Sequence, residues 1–217
     1  MKKIWTILTI LLITLFACGF AFFSSGEEEF KFDVNDLYNY QKQFESEEIE
    51  ICSTNSTKTY MDYRATSDAS SVQYRFIRNK LTVDRSGFLY DQDGFIGVAL
   101  GSYYGNIGDR YYVTLDTGIV LPLVKCEAKA DGDVYNGCYH KQDNSVIEFV
   151  IDSDLASEYF GMYGNGLVLQ GNFNNYDLFS GNIVKMEKVL DTKIGESVTY
   201  STNITNLMDS FNYASGY

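Results

Sequence analysis

The stretch that decides the fold is Gly94–Asp152, GFIGVALGSYYGNIGDRYYVTLDTGIVLPLVKCEAKADGDVYNGCYHKQDNSVIEFVID. Ile96, Val98 and Leu100, then Tyr111, Val113 and Leu115, then Val146, Glu148 and Val150 recur with the period of two that half-buried strands require. At least three strands are written there, and no helical period fits. Gly101, Gly105, Gly108, Gly118, Gly132 and Gly137 fall between them, where tight turns demand backbone angles that side chains resist. One residue breaks the pattern. Glu148 sits in the apolar run Val146, Ile147, Phe149, Val150, Ile151, where a carboxylate costs free energy unless it is hydrogen-bonded, paired or protonated. Alternation alone leaves open whether Glu148 faces a site or points outward from a strand whose inward residues are Ile147 and Phe149.

On the amino-terminal side, Ile49–Arg64 reads as a strand region in which Lys58–Arg64 alternates polar and aromatic residues, and Ala65–Ser71 reads as a loop. Val72–Asn79 mixes polar and apolar residues. Ser86-Gly87 and Asp93-Gly94 are turn signals. Asp91-Gln92-Asp93-Gly94 looks like the start of a calcium loop, but its glycine comes too early and no closing glutamate follows, so it reads as a turn. On the carboxyl-terminal side, Ser153 or Asp154 is placed to cap one short helix bearing Leu155, Ala156, Tyr159 and Phe160 on one face and ended by Gly161. A glycine- and asparagine-rich loop over 164–175 follows, and alternation around Ile183 marks a closing strand. No internal repeat is visible.

Ile4–Phe23 is apolar apart from Thr6, Thr14, Cys18 and Gly19, about the 20 residues that span a bilayer. Lys2 and Lys3 precede it and Glu27, Glu28 and Glu29 follow, an asymmetry that places everything downstream outside the cytoplasmic membrane. Three modes of attachment stay open: an uncleaved anchor, a signal peptide cleaved after a small residue such as Ala21, or lipid attachment at Cys18. The division expected is 1–25 signal or anchor, 26–50 a polar stalk, 51–190 one folded domain, and 191–217 a polar, loosely ordered tail. Within the stalk, Asp36 is placed to cap a short helix carrying Leu37, Tyr40 and Phe44.

Of the 17 basic residues two lie in the first 25, leaving 15 against 29 acidic side chains, a net charge of −14 on the exported part. That surface repels nucleic acid, which is excluded as a partner. With 18 Tyr, 15 Phe and one Pro, the chain has the composition of an aromatic-rich β domain. Three cysteines follow the leader. Cys126 and Cys138 flank one turn-rich loop, which makes them the expected bridge in an oxidising compartment, with free buried thiols the alternative. Cys126, Cys138, His140 and Glu127 lack the short paired spacings of zinc sites, and neither a metal nor another cofactor is expected.

The succession of Val98-Ala99-Leu100, Ile107-Gly108, Tyr111–Leu115, a carboxylate-bearing turn, the strand Ile147-Glu148-Phe149 and a helix ending in Phe160-Gly161 resembles the three-aspartate (3D) domain. That domain occurs in Gram-positive stationary-phase survival proteins and in membrane-bound lytic transglycosylase A. The resemblance covers roughly residues 59–189 and implies a closed double-psi β-barrel with a single short helix, preceded here by the membrane segment. It also implies a site. The family's first aspartate falls on Leu100 and is absent. Its second falls in the turn Cys126–Gly132, where Glu127 or Asp131 stands in. Its third falls on Glu148.

A lytic transglycosylase needs one carboxyl group that is protonated near neutrality. It protonates the leaving oxygen, and then as carboxylate takes the proton of the sugar's 6-hydroxyl. Glu148 has the apolar neighbourhood for this, and Glu127 or Asp131 would supply a like charge that raises its proton affinity. Asp131 and Asp133 also bracket Gly132 as ordinary turn residues do. Tyr103, Tyr104, Tyr111 and Tyr112 are candidates for stacking on sugar rings, with cross-strand packing as their structural alternative. Two functions are therefore expected: a membrane-associated enzyme that cleaves peptidoglycan or another envelope glycan, or a barrel with a degraded site that binds wall glycan or a surface protein.

Overall fold

The computed structural model describes residues 33–163, 166–167 and 172–194. The membrane segment Ile4–Phe23 and the tail from 195 onward lie outside the described residues. Among the described residues no helix is long and apolar enough to cross a membrane.

The domain is mainly β, with a large mixed sheet and few helices. Its strands are β1 (Phe44–Ile49), β2 (Thr59–Asp62), β3 (Thr82–Val83), β4 (Leu89–Tyr90), β5 (Ile96–Leu100), β6 (Arg110–Leu115), β7 (Val120–Ala128), β8 (Val134–Tyr135), β9 (Tyr139–His140), β10 (Glu148–Ile151), β11 (Met162–Tyr163), β12 (Gly166–Leu167) and β13 (Ile183–Lys193). The main sheet runs β1-β13-β6-β7-β5-β10-β2, with the β3–β4 hairpin attached to β5. Pairs β5–β7 and β10–β2 are parallel and the others antiparallel.

The expected closed barrel is not formed: β1 and β2 stand at the two ends of the path and do not pair with each other. Closure fails because residues read as a stalk instead extend the sheet. Phe44–Ile49 pairs with β13, and Val34 and Leu37 are buried in the main core. The outer edge strand carries Glu45, Glu47 and Glu48, charges that oppose addition of a further strand. Asp36 does not cap a helix through Phe44; Asp33 caps a 3-10 turn over Val34–Asn39 by accepting from Asn35 N–H.

Strand alternation gives the sheet two unlike faces. On one, Phe88, Phe149, Phe173 and Phe179 are fully buried, and their rings lie within 5.0–5.4 Å of one another in every pairing. Val98, Leu100, Ile147 and Ile151 join this core. On the other face Leu89, Ala99, Cys126 and Val150 pack beneath Ile77 of helix α1 (Val72–Lys80). This helix corrects the expectation of a single one. Ser71 caps it by accepting from Tyr74 N–H at 3.1 Å, but Ile77 alone among its residues is buried, too narrow a stripe to show as a period. The expected helix is α2 (Ser153–Phe160), capped by Asp152, which accepts from the N–H groups of Asp154 and Leu155. Its buried residues are Ser153, Ala156 and Ser157, so the expected face is displaced, and Leu155 and Tyr159 are exposed.

Cys138 is disulfide-bonded to Cys52, and Cys126 is free and buried. The expected Cys126–Cys138 bridge cannot form because the sheet lies between them: Cys126 packs under α1, while Cys138 belongs to the phenylalanine core. The hairpin carrying Cys138 is held by close backbone contact, since a Cβ on Gly101 would lie 1.9 Å from the Gly137 carbonyl oxygen. A short repeat also emerges. Asp84–Phe88 and Asp91–Phe95 form the same turn, in which the aspartate accepts at 2.9 Å from the N–H two residues on and at 3.0 Å from the buried phenylalanine N–H. In the second copy Asp91 and Asp93 both engage Arg110 at 2.7 Å, so these acids are paired within the protein.

Candidate functional site

Glu148 opens β10, and its position follows from register. It pairs with Thr59 of β2 on one side and with Ala99 of β5 on the other, and Ala99 pairs with Glu127 of β7. Thr59, Glu148, Ala99 and Glu127 therefore form one row across four strands, on the face that α1 covers further along. An irregularity in the β5–β7 register between Val98 and Ala99 brings Glu127 onto this row although the adjacent Cys126 is buried on the same side. The small side chain of Ala99 separates the two acids, which stand two strands apart, about 10 Å between backbones. Sequence alternation could not assign the face of Glu148. The register does: it lies opposite the phenylalanine core, beside Val150 but past the cover of α1.

Glu148 and Glu127 line the same open cleft of about 430 Å³, walled by Thr66, Ser67 and Ser71 of the loop preceding α1. A second cleft of about 400 Å³ lies on the other side of Glu148, between Tyr60 and the segment His140–Ser145. Lys129 and Glu148 belong to both. Burial pushes the Glu148 carboxyl above the ordinary glutamate range, with Asp143 and Glu127 acting in the same direction, while the charges of Lys129 and His140 oppose them. Burial conversely pushes Lys129 down, resisted by Glu148 and Asp143. Both shifts run toward the neutral forms, the direction in which burial moves a carboxyl and an ammonium group.

The supporting residues fix this geometry. Glu127 accepts from Thr66 Oγ1 at 2.6 Å and from Ala128 N–H at 3.0 Å, so the loop hydroxyl holds it on the cleft wall. Lys129 Nζ donates to the Ser145 carbonyl at 3.2 Å and to Ser145 Oγ at 3.3 Å. Asp143 is held low: hydrogen bonds from Ser145 and the charges of His140 and Lys129 outweigh its burial. His140 Nδ1 lies 3.3 Å from Asp143 Oδ1 without hydrogen-bond alignment, and so attracts it by charge only when the ring is protonated. Lys129, His140, Asp143 and Ser145 were not legible as site residues, because the loop after β7 and the β8–β9 hairpin bring them beside Glu148 only through tertiary folding.

The remaining expected site residues lie elsewhere. Asp131 sits in a 3-10 turn over Asp131–Asp133 and accepts from Ser102 Oγ at 2.6 Å; it lines neither cleft beside Glu148. Tyr104 cannot stack on a sugar, being 1% exposed with its hydroxyl 2.9 Å from Cys52 Sγ and 3.3 Å from Cys138 Sγ. Tyr111 and Tyr112 are buried as well, and Tyr112 Oη accepts from the N–H groups of Gln43 and Phe44 at 3.1 Å. Tyr103 is 45% exposed, its hydroxyl donating to the Glu50 carbonyl at 3.2 Å, and it too lies outside both clefts. No protein-family model, curated protein or solved structure matches the chain.

Proposed function

We propose that the chain is an exported, membrane-associated glycan-cleaving enzyme of the lytic transglycosylase type, with Glu148 as its acid and base. The observation that carries this reading is the row in which Glu148 and Glu127 flank Ala99 on one open cleft. Protonated Glu148 gives its proton to the glycosidic oxygen as the bond to the anomeric carbon breaks. Glu127, across Ala99, stabilises the positive charge that develops on the sugar ring. Glu148, now a carboxylate, removes the proton from the same sugar's 6-hydroxyl, whose oxygen closes on the anomeric carbon. The products are a 1,6-anhydro end and a free hydroxyl, with Glu148 reprotonated and no water consumed. The basic start and acidic far side of the apolar leader support export, as does the Cys52–Cys138 disulfide, a bond that persists in oxidising compartments.

The test is release of 1,6-anhydro muropeptides from purified peptidoglycan by the full-length protein and by Glu148→Gln. The substitution keeps shape but removes the transferable proton, so activity falls by about 10²–10⁴-fold. Equal product from both proteins would show that Glu148 is not the acid. A second reading, a glycan-binding module without catalysis, is favoured by Leu100. Where the 3D family carries its first aspartate this chain has a fully buried core residue. Peptidoglycan binding with no anhydro product from the unsubstituted protein would establish that reading instead.

A further inference from the structure

Glu148 and Lys129 line both clefts. The row Thr59–Glu148–Ala99–Glu127 runs across the strands from one cleft to the other, with Thr59 on the second cleft, Ala99 and Glu127 on the first, and Glu148 on both. Each cleft, at about 430 and 400 Å³, lies near the low end of the roughly 300–1,000 Å³ occupied by small-ligand sites. Either alone holds a short piece of ligand, and the titrating group stands between them rather than at the bottom of one. An enzyme that trims chain ends needs a wall just past its acid. Here the sheet surface continues past Glu148 in both directions.

We infer that the ligand is an extended β-linked N-acetylhexosamine strand laid across the sheet, with sugars in both clefts and the scissile bond over Glu148, so that cleavage is internal to the strand. This rests on the glycan reading and specifies its substrate as a polymer interior rather than a chain end. The lining suits such a ligand. Ser67 in one cleft and Thr59 in the other place hydroxyls on the linings for the hydroxyl and acetamido groups of a neutral sugar, while Thr66, Ser71 and Ser145 on the same walls are bonded within the protein to Glu127, the start of α1 and Lys129.

The experiment is titration of the full-length, isotopically labelled protein in detergent micelles with β-1,4-linked N-acetylglucosamine oligomers of two, four and six sugars, read by backbone amide shifts. The tetramer is expected to bind at least about tenfold more tightly than the dimer and to shift amides in both the Thr66–Ser71 loop and the Tyr60 and Ser145 neighbourhoods. Ser67→Trp fills the first cleft only. In that variant the tetramer is expected to bind no better than the dimer and to shift only the second cleft. Equal affinity for dimer and tetramer, or tetramer shifts confined to one cleft of the unsubstituted protein, would overturn the strand-spanning inference while leaving a glycan site in place. Absence of binding by any oligomer would overturn both. Where catalysis is observed, strands of intermediate length must precede small products, and disaccharide release from the first time point would overturn internal cleavage.

Discussion

The two faces of β10 carry adjacent residues with opposite fates. Phe149 turns into a cluster of four fully buried phenylalanines, whereas Glu148 turns to the other face, where α1 covers Val150 and stops short of the acid. One face is closed by aromatic side chains that need no partner beyond one another. The other is only partly covered, and what is left open is a row of polar side chains with a titrating group at its centre. The same strand thus serves stability on one side and, in the function proposed here, chemistry on the other, and substitutions one residue apart are expected to separate the two.

The largest effect is expected on the closed face. Phe149→Ala removes a fully buried ring that touches Phe88, Phe173 and Phe179, and leaves a cavity the remaining rings cannot fill. The expected loss is about 3–5 kcal/mol in denaturant unfolding. A loss below about 1 kcal/mol would mean that the cluster is not the centre of the core.

Next is the cross-link on that same side. Cys52–Cys138 closes a loop spanning a sequence separation of 86, so reduction is expected to lower stability by about 2–5 kcal/mol. Cys126, buried under α1 and with its thiol pushed up by burial, is expected to stay unreactive toward alkylating agents in the folded protein. Rapid labelling of Cys126 by a thiol reagent under native conditions would break the assignment of the two cysteines to opposite faces.

These faces also divide what the sequence reveals from what it conceals. Period two in Ile96–Leu100, Tyr111–Leu115 and Val146–Ile151 marks strands because each buries one side against a continuous apolar core. The turns at Gly87 and Gly94 are legible because both take positive φ, 83° and 81°. Glu148 stands out because a carboxylate in an apolar run needs a reason. Alternation does not say which strands become neighbours. The pairing of Cys52 with Cys138, the capture of Phe44–Ile49 by β13 and the arrival of Lys129 and His140 beside Glu148 all depend on contacts distant in sequence. Helix α1 escapes detection for a local reason: with a single buried residue, its sequence bears almost no imprint of the sheet it covers.

On the open face, Glu148→Gln is expected to trade function for stability. Because burial raises the folded-state value above the ordinary 4.5, the folded protein holds this proton more tightly than the unfolded chain. Its contribution is fully present below 4.5 and is lost as pH rises through the folded-state value. Glutamine does not ionise, so the stability difference between variant and parent is expected to grow in the variant's favour from 4.5 upward and then level off. Parallel stability curves across pH 4–8 would show that Glu148 is not held in a charge-disfavouring site.

The smallest effect is expected at Asp131, and it separates proximity in sequence from proximity in space. Only three residues lie between Glu127 and Asp131, both in the turn that resembles the family's second acidic position. Glu127 lines the cleft with Glu148, whereas Asp131 faces Ser102 on an exposed turn. Asp131→Asn keeps an oxygen that can accept from Ser102 Oγ, so stability is expected to change by no more than about 0.5 kcal/mol. Activity on glycan is expected to stay within about twofold of the parent, since the residue touches neither cleft and its charge is screened by solvent. Glu127→Gln, which keeps the Thr66 contact but removes the charge that the proposed mechanism sets against the sugar ring, is expected to lose about 10²-fold or more of any glycan-cleaving activity. A reversed order, with Asp131→Asn the more damaging, would mean that the catalytic acids converge at the 3-10 turn and that the row across β10, β5 and β7 is structural.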